Sequence, residues 1–161
     1  MKLLPVALAA LFLSACGFRP LYATPEGGGA GLPRMALASL SAPDEVAPIV
    51  ARAFERRMGG QGGEALYDLT VKASEQAERL AVQIDASVTR YNYRLVGDYT
   101  LVERSTGKRY TGNVISIASF NVVNSQYSTL YAEQQAKEKA ATQLVEDIER
   151  DVLLKIDADK E

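Results

Sequence analysis

The single cysteine of this chain, Cys16, is the side chain with the most distinctive chemistry. It follows Leu13, Ser14 and Ala15 at the end of an apolar N-terminal run. A thiolate is the nucleophile that accepts a lipid, and the two small residues before it let the backbone enter a peptidase that cuts in front of the modified cysteine. The pattern therefore predicts lipidation at Cys16. The alternatives are an ordinary signal peptide with an incidental cysteine, or a short membrane anchor.

The segment before the cysteine is apolar but short. Residues 3–15 contain only one proline and one serine among apolar side chains, and Lys2 provides a positive start. As a helix this run would be about 20 Å long, against roughly 30 Å of hydrocarbon in a bilayer. It is too short to span, and its flanks are those of a secretory signal. We therefore predict that residues 1–15 are a cleaved signal peptide.

The stretch after the signal is predicted to be a tether. Residues 16–31 contain two prolines and a run rich in glycine, which cannot bury enough apolar surface to order itself. Three of its side chains are nevertheless too apolar for a pure spacer. We expect these three to contact either the membrane interface or a partner protein: Phe18, Leu21 and Tyr22.

Composition excludes several classes of function. The chain has 161 residues, one cysteine, no histidine and no tryptophan. Without histidine there is no histidine-dependent triad and no histidine metal ligand, and one cysteine cannot form an internal disulfide. Removal of residues 1–15 leaves 17 basic and 20 acidic residues, a net charge of −3, which does not indicate a nucleic-acid binder. The length predicts a single domain, assigned to residues 32–156, with a polar tail at 157–161.

Hydrophobic periodicity locates the elements of this domain. Residues 35–40 are a short strand candidate, and an apolar helical face follows the proline at position 43: Val46, Ile49, Val50, Ala53 and Phe54. The Gly59-Gly60 pair should end this helix with a left-handed cap. A second helix is predicted from about Leu130 to Lys155, with Ser128 or Thr129 as its N-cap.

Alternating polar and apolar residues predict the strands. They lie at Leu66–Ser74, Leu80–Ile84, Tyr91–Val102 and Tyr110–Phe120. Glu75–Arg79 is predicted to be a polar connection, and Ser105–Lys108 a hairpin turn. One apolar and one moderately polar face indicate an antiparallel sheet with helices on one side only. Three tyrosines share the apolar face of the longest strand: Tyr91, Tyr93 and Tyr99. They are either core residues or anchors for a partner protein.

Two segments carry a family resemblance: Cys16–Tyr22, which reads CGFRPLY, and Ser128–Gln134, which reads STLYAEQ. With these motifs the chain resembles the lipopolysaccharide-assembly lipoproteins, the LptE family, in their α-proteobacterial form. The resemblance implies an α+β two-layer sandwich in which two helices pack on one face of a four-stranded mixed sheet, in the order β-α-β-β-β-α. It also implies a location at the periplasmic face of the outer membrane.

The same resemblance implies partners and a function. Members of the family plug the lumen of an LptD-like β-barrel protein, bind lipopolysaccharide and assist its transport to the cell surface, with no cofactor and no catalysis. Basic residues of the family's sheet are associated with lipopolysaccharide, but no motif anchors them here. Arg90 and Arg94 are the candidate contacts, and a generic charge pattern on a strand explains them equally well.

Two other functions are compatible with the sequence. A lipoprotein of the same fold could serve as an adaptor in a different envelope complex. A hydrolase could use paired carboxylates for acid–base chemistry, with Asp68, Asp85 and Asp98 as the candidates, although nothing in the sequence brings two of them together.

Overall fold

The chain folds into an α+β domain with the order β-α-β-β-β-α, as the family resemblance implies. The computed structural model describes residues 34–59, 63–82, 89–123 and 125–159, with backbone only for 77–82 and 89. The elements are β1 (Met35–Ser41), α1 (Ala47–Met58), β2 (Tyr67–Val82), β3 (Thr89–Glu103), β4 (Arg109–Val122) and α2 (Gln126–Ala158).

The four strands form one mixed sheet in the order β1-β2-β3-β4. β1 and β2 are parallel, which requires a crossover connection, and α1 supplies it. The other neighbours are antiparallel. The turn between β3 and β4 contains Gly107 at φ 73°, a conformation that glycine adopts without a steric penalty.

The predicted polar connection at Glu75–Arg79 is wrong. β2 runs unbroken from Tyr67 to Val82, and its only irregularity lies between Arg79 and Ala81. The 15-residue strand β3 offers backbone partners along this whole length, so ladder hydrogen bonds override the polar composition. The Tyr93 hydroxyl also donates to Glu75 Oε2 over 2.8 Å, which gives this polar segment a partner inside the domain.

Both helices pack on the same face of the sheet, and the core lies between the two layers. The predicted face of α1 is buried in full, and the sheet contributes alternate residues of its central strands: Leu69, Val71, Ala73, Tyr93, Leu95, Tyr99 and Leu101. Tyr93 and Tyr99 are therefore core residues, as one of the two interpretations predicted. Tyr91 stacks on Phe120, with ring centroids 5.6 Å apart.

The helix ends differ from the sequence prediction. Gly59 has φ −65°, so the predicted left-handed cap does not form at this residue. α2 begins at Gln126, with Ser125 as the N-cap accepting from the Ser128 backbone N–H. Thr129, one of the two predicted caps, instead bonds the backbone of Val123 through its hydroxyl. The helix therefore starts earlier than predicted because the cap lies upstream.

One carboxylate is buried between the helices. Glu149 is 1% exposed, and Arg57 donates to it twice, from Nε at 2.5 Å and from Nη2 at 3.1 Å. Arg57 is itself 44% exposed, but its guanidinium neutralises an interior charge. This pair links the end of α1 to the middle of α2.

A buried hydroxyl gives a first prediction. Ser116 of β4 is fully buried, and its Oγ has no hydrogen-bond partner in the part of the chain that the structure describes. An unpaired buried hydroxyl costs about 1–3 kcal/mol. Ser116→Ala is therefore expected to raise the free energy of unfolding by about 1 kcal/mol, measured by urea denaturation. Ser128→Ala is the control, because Ser128 is exposed and its Oγ bonds Ser125.

A polar cluster fixes the C-terminal half of α2 to the sheet. Tyr99 donates to Asp151 Oδ2 over 2.5 Å, and Lys155 Nζ contacts the same oxygen at 2.8 Å and the Thr111 carbonyl oxygen at 2.6 Å. A Cβ at Gly112 would lie 2.5 Å from Asp151 Oδ2, so a glycine is required where the cluster crosses β4.

This cluster predicts a loss of stability in acid. Burial raises the pKa of Asp151, but the hydrogen bonds from Lys155 and Tyr99 lower it by a larger amount. The pKa of Asp151 therefore lies below the ordinary 3.8. A carboxyl group whose pKa is lower in the folded state stabilises the fold at pH values above its unfolded-state pKa. This contribution disappears as the pH falls through its folded-state pKa. We expect the difference in melting temperature between the wild type and Asp151→Asn to shrink from pH 5 to pH 2.5. A constant difference would contradict this account.

Candidate interaction surface

The helices cover one face of the sheet, and the opposite face, here called the open face, carries the other set of alternating side chains. Its members on the three long strands are Thr70, Lys72, Ser74, Gln76, Arg90, Asn92, Arg94, Val96, Asp98, Thr100, Thr111, Asn113, Ile115, Ile117 and Ser119. No described helix or strand packs on this face, so the fold leaves it to a partner.

An aliphatic patch lies on this open face. Ile115 and Ile117 of β4 are 43% and 46% exposed, and Val96 of β3 is directly opposite Ile115 in the strand register. Neighbouring side chains on one face of a sheet contact each other. Contiguous exposed aliphatic surface of this kind marks an interaction site more often than scattered single residues do.

Arg94 borders the aliphatic patch, opposite Ile117 in the register. Its Nε is buried and has no hydrogen-bond partner among the described residues. A buried donor without an acceptor is destabilising, and an incoming carboxylate, phosphate or carbonyl oxygen would relieve that penalty. Arg90 is exposed on the same face, about 13 Å away at the rise of a strand. The structure thus places Arg94 beside the patch and Arg90 on the same face, farther along β3.

The unpaired donor predicts an unusual stability effect. Arg94→Met removes the buried Nε while keeping an unbranched apolar stem, so we expect the free energy of unfolding to stay within about 0.5 kcal/mol of the wild-type value or to rise. Thermal and urea denaturation would measure it, with Arg90→Met as the exposed control. A loss above about 2 kcal/mol would show that Arg94 makes a stabilising contact.

Polar side chains on either side of the patch are paired with each other. Asn113 Nδ2 donates to Asp98 Oδ1, and the Ser119 hydroxyl donates to Asn92 Oδ1, each over 2.7 Å. The patch is therefore an apolar centre with a polar border, which is the composition of a protein contact site.

The candidate carboxylates of a hydrolase do not form a pair in the described structure. Asp68 accepts from Arg104 Nη2 over 2.7 Å, and this bond lowers the pKa of Asp68. Asp98 lies opposite Lys72 in the register, about 13 Å along the sheet from Asp68 at the rise of a strand. Asp85 lies outside the described residues. Across residues 34–59, 63–82, 89–123 and 125–159, no three metal-ligating side chains converge.

A second apolar surface lies at the start of α2. Tyr127 is 80% exposed, and Leu130 and Tyr131 are 60% exposed. Their i, i+3, i+4 spacing puts them on one side of the helix, a signal that the sequence contains. This end of the domain is about 45 Å along the sheet from Arg34, where the chain enters the domain.

A shallow groove of about 550 Å³ runs between α1 and α2. Charged side chains of both signs line it, including Arg56, Lys139 and Glu146, and Arg150 in its wall pairs with Asp147 over 2.7 Å. Interspersed charges that pair with one another are typical of a solvated helix surface. The groove is therefore a weaker candidate for a binding site than the open face is.

The predicted lipidation site and the three apolar tether residues lie outside the described residues. They are Cys16, Phe18, Leu21 and Tyr22, and their roles stay predictions. Of the helices in the part of the chain that is described, none is long and apolar enough to cross a membrane.

Comparison with solved structures identifies the fold. A candidate lipoprotein from Caulobacter crescentus superimposes with a TM-score of 0.60 at 19% identity, covering 81% of this chain and 95% of that one. A minor lipoprotein from Acinetobacter baumannii matches with a TM-score of 0.48 at 16% identity, covering 77% and 94%. Rare lipoprotein B from Shewanella oneidensis matches with a TM-score of 0.48 at 12% identity, covering 76% and 93%. No protein-family model and no curated protein matches the chain. The Caulobacter protein therefore has the same fold as this chain.

Proposed function

We propose that this chain is an outer-membrane lipoprotein that assembles with an LptD-like β-barrel protein and assists lipopolysaccharide transport to the cell surface without catalysing a reaction. The observation that carries the proposal is the open face, with its exposed isoleucines and an arginine whose Nε lacks a partner among the described residues. A surface of this composition suits binding to a protein and to an anionic amphiphile.

The lipid anchor is the second part of the proposal. Cys16 is the only cysteine and stands where lipidation requires it, and the Caulobacter protein of the same fold is itself described as a lipoprotein candidate. Two or more acyl chains hold a protein on a membrane stably, whereas one chain does not. A triacylated Cys16 would therefore keep the domain at the periplasmic face of the outer membrane.

The open face also suggests where the two partners bind. The aliphatic patch and its polar border suit a protein, whereas Arg90 and Arg94 would pair with the phosphates of lipopolysaccharide. The exposed start of α2 provides a further apolar contact at the end of the domain opposite Arg34.

The alternative is a lipid-anchored adaptor of the same fold in a different envelope complex. The same open face supports it, because an apolar patch does not by itself specify which protein covers it. The two proposals differ in the identity of the partner and in the effect of depletion on lipopolysaccharide.

Depletion of the protein in its own host tests the proposal. We expect the amount of correctly folded barrel protein and the amount of surface lipopolysaccharide to fall together, and the wild-type gene to restore both. The double variant Ile115→Ser/Ile117→Ser should restore neither in full. Leu154→Ser, which removes an aliphatic side chain of similar exposure from α2, is the matched control and should complement. If depletion changes neither quantity, the proposed function is wrong.

A further inference from the structure

β4 is an edge strand, and its backbone groups alternate between the sheet and the outside. The Glu103 N–H donates to the Lys108 carbonyl oxygen over 2.9 Å at the base of the β3–β4 hairpin. Because hydrogen-bonded and non-hydrogen-bonded pairs alternate in an antiparallel ladder, this bond fixes the pattern along the unbroken register. The even-numbered residues of β4 pair with β3, and the odd-numbered residues point outward.

An independent contact agrees with this assignment. Lys155 Nζ reaches around the edge of the sheet to the carbonyl oxygen of Thr111, an odd-numbered residue, over 2.6 Å. At the other end of β4, the Thr129 hydroxyl bonds both the N–H and the carbonyl oxygen of Val123. α2 therefore occupies the two ends of the outward row.

The middle of the row has no partner among the described residues. Within the part of the chain that is described, no partner bonds the outward N–H and C=O groups of Asn113, Ile115, Ile117 and Ser119. We call this segment the free edge. Its side chains all lie on the open face, since a strand repeats every two residues, so the aliphatic patch and the unpaired backbone belong to the same four residues.

The two edges of the sheet differ in how they are protected. β1 has 7 residues and a register irregularity between Leu37 and Ser39, which are two common ways of blunting an edge. β4 has 14 residues with no irregularity and no proline, and no charged residue occurs between Arg109 and Glu133. A long, regular, uncharged edge attracts another strand.

We propose that the free edge of β4 is where the partner protein adds a strand to the sheet. The added segment is extended and uncharged, since the edge offers no charge to pair with it, and its alternate apolar side chains pack on Ile115 and Ile117. The inference rests on the proposed function to the extent that the partner is a protein, and it specifies how that protein binds.

Two observations favour a partner strand over a second copy of this chain. α2 packs over β4 and β3, so edge-to-edge pairing of two copies would bring their long helices together above the joint. A ladder of four outward residues also buries much less than the roughly 800 Å² per partner of a stable interface. A single strand from a partner protein brings no second long helix to the joint, and other contacts with that partner can supply the remaining buried area.

Residue-resolved hydrogen exchange on the natural complex tests the inference. The lipidated chain would be purified from detergent-solubilised membranes with and without its stoichiometric partner. The backbone amides of Ile115, Ile117 and Ser119 are expected to exchange at least about 100-fold more slowly in the complex. Those of Ser116 and Ala118, already bonded to β3, should exchange slowly in both samples.

A proline substitution separates strand pairing from simple coverage. Ile117→Pro removes an outward N–H and leaves every ladder bond to β3, so it should fold, since edge strands tolerate proline. It should weaken partner retention by about tenfold relative to Ile117→Ala, which loses the side chain but keeps the N–H. Equal retention by the two variants would overturn the inference, provided that both melt cooperatively.

The remaining outcomes distinguish this inference from the proposed function. Protected odd-numbered amides with a partner other than a lipopolysaccharide-assembly barrel would refute the proposed function and leave the strand pairing intact. A barrel partner with unchanged amides would refute the strand pairing alone. Absence of any stoichiometric partner would refute both, and protected amides in a dimer of this chain would replace the partner strand with a second copy.

Discussion

Arg57→Leu is expected to lower the free energy of unfolding by about 3 kcal/mol. The substitution leaves the carboxylate of Glu149 buried without the two hydrogen bonds that Arg57 donates to it, and an uncompensated buried charge typically costs about 3–5 kcal/mol. The lower end of that range applies because Arg57 is itself 44% exposed, so solvent reaches part of the pair and screens it. Urea denaturation at neutral pH would measure the loss.

The paired substitution provides the control. Arg57→Leu/Glu149→Leu replaces the ion pair by apolar side chains, and such replacements are often neutral or stabilising. We therefore expect the double variant to recover most of the loss caused by Arg57→Leu. Arg56→Leu, which changes a neighbouring exposed arginine, should have an effect within about 0.5 kcal/mol. If Arg57→Leu also stays within that range, the interior carboxylate does not depend on Arg57.

Cys16→Ala is expected to abolish attachment of the protein to the outer membrane. Without the thiol no acyl chain can be added, and the protein should accumulate as a soluble periplasmic domain or as the uncleaved precursor. Attachment depends on the acyl chains, because two or more of them anchor a protein stably in a membrane. None of the described helices is long and apolar enough to cross one. Labelling with radioactive palmitate and fractionation of the envelope would measure the effect.

Ser14→Ala is the matched control for this prediction. It exchanges one small residue for another ahead of the cysteine, so processing and labelling should be unchanged. A Cys16→Ala protein that stays in the outer membrane in its cleaved form would contradict the prediction, because contacts with a partner would then suffice for attachment.

The fold was predictable because the sequence alternates clearly where one face is buried. The odd-numbered residues from Tyr93 to Leu101 gave the central strand and its core face, and Val46 to Phe54 gave α1. The prediction failed where tertiary pairing decides the outcome. Glu75–Arg79 has the composition of a loop, but β3 lies alongside and supplies its hydrogen bonds. The resemblance implied a mixed sheet, but strand order and the parallel pairing of β1 with β2 came from the structure.

The interaction surface was only partly predictable. Tyr110–Phe120 has mixed polar and apolar residues on both faces, so alternation alone did not show that Ile115 and Ile117 would be exposed. Arg94 was a candidate on its charge, but its unpaired Nε depends on the packing of neighbouring strands. The burial of Glu149 could not be predicted either, because most glutamates in a surface helix face solvent.

The most direct test of the account is the identity of the protein that co-purifies with the full-length lipidated chain. The chain would be tagged at its C-terminus, extracted from native membranes with mild detergent, and its stoichiometric partner identified by mass spectrometry. Ile115→Ser/Ile117→Ser would serve as the open-face variant and Leu154→Ser as the control. We expect a lipopolysaccharide-assembly β-barrel protein at a fixed ratio, reduced in the open-face variant and unchanged in the control. Recovery of the chain alone, or with a stoichiometric partner from another envelope complex, would contradict it.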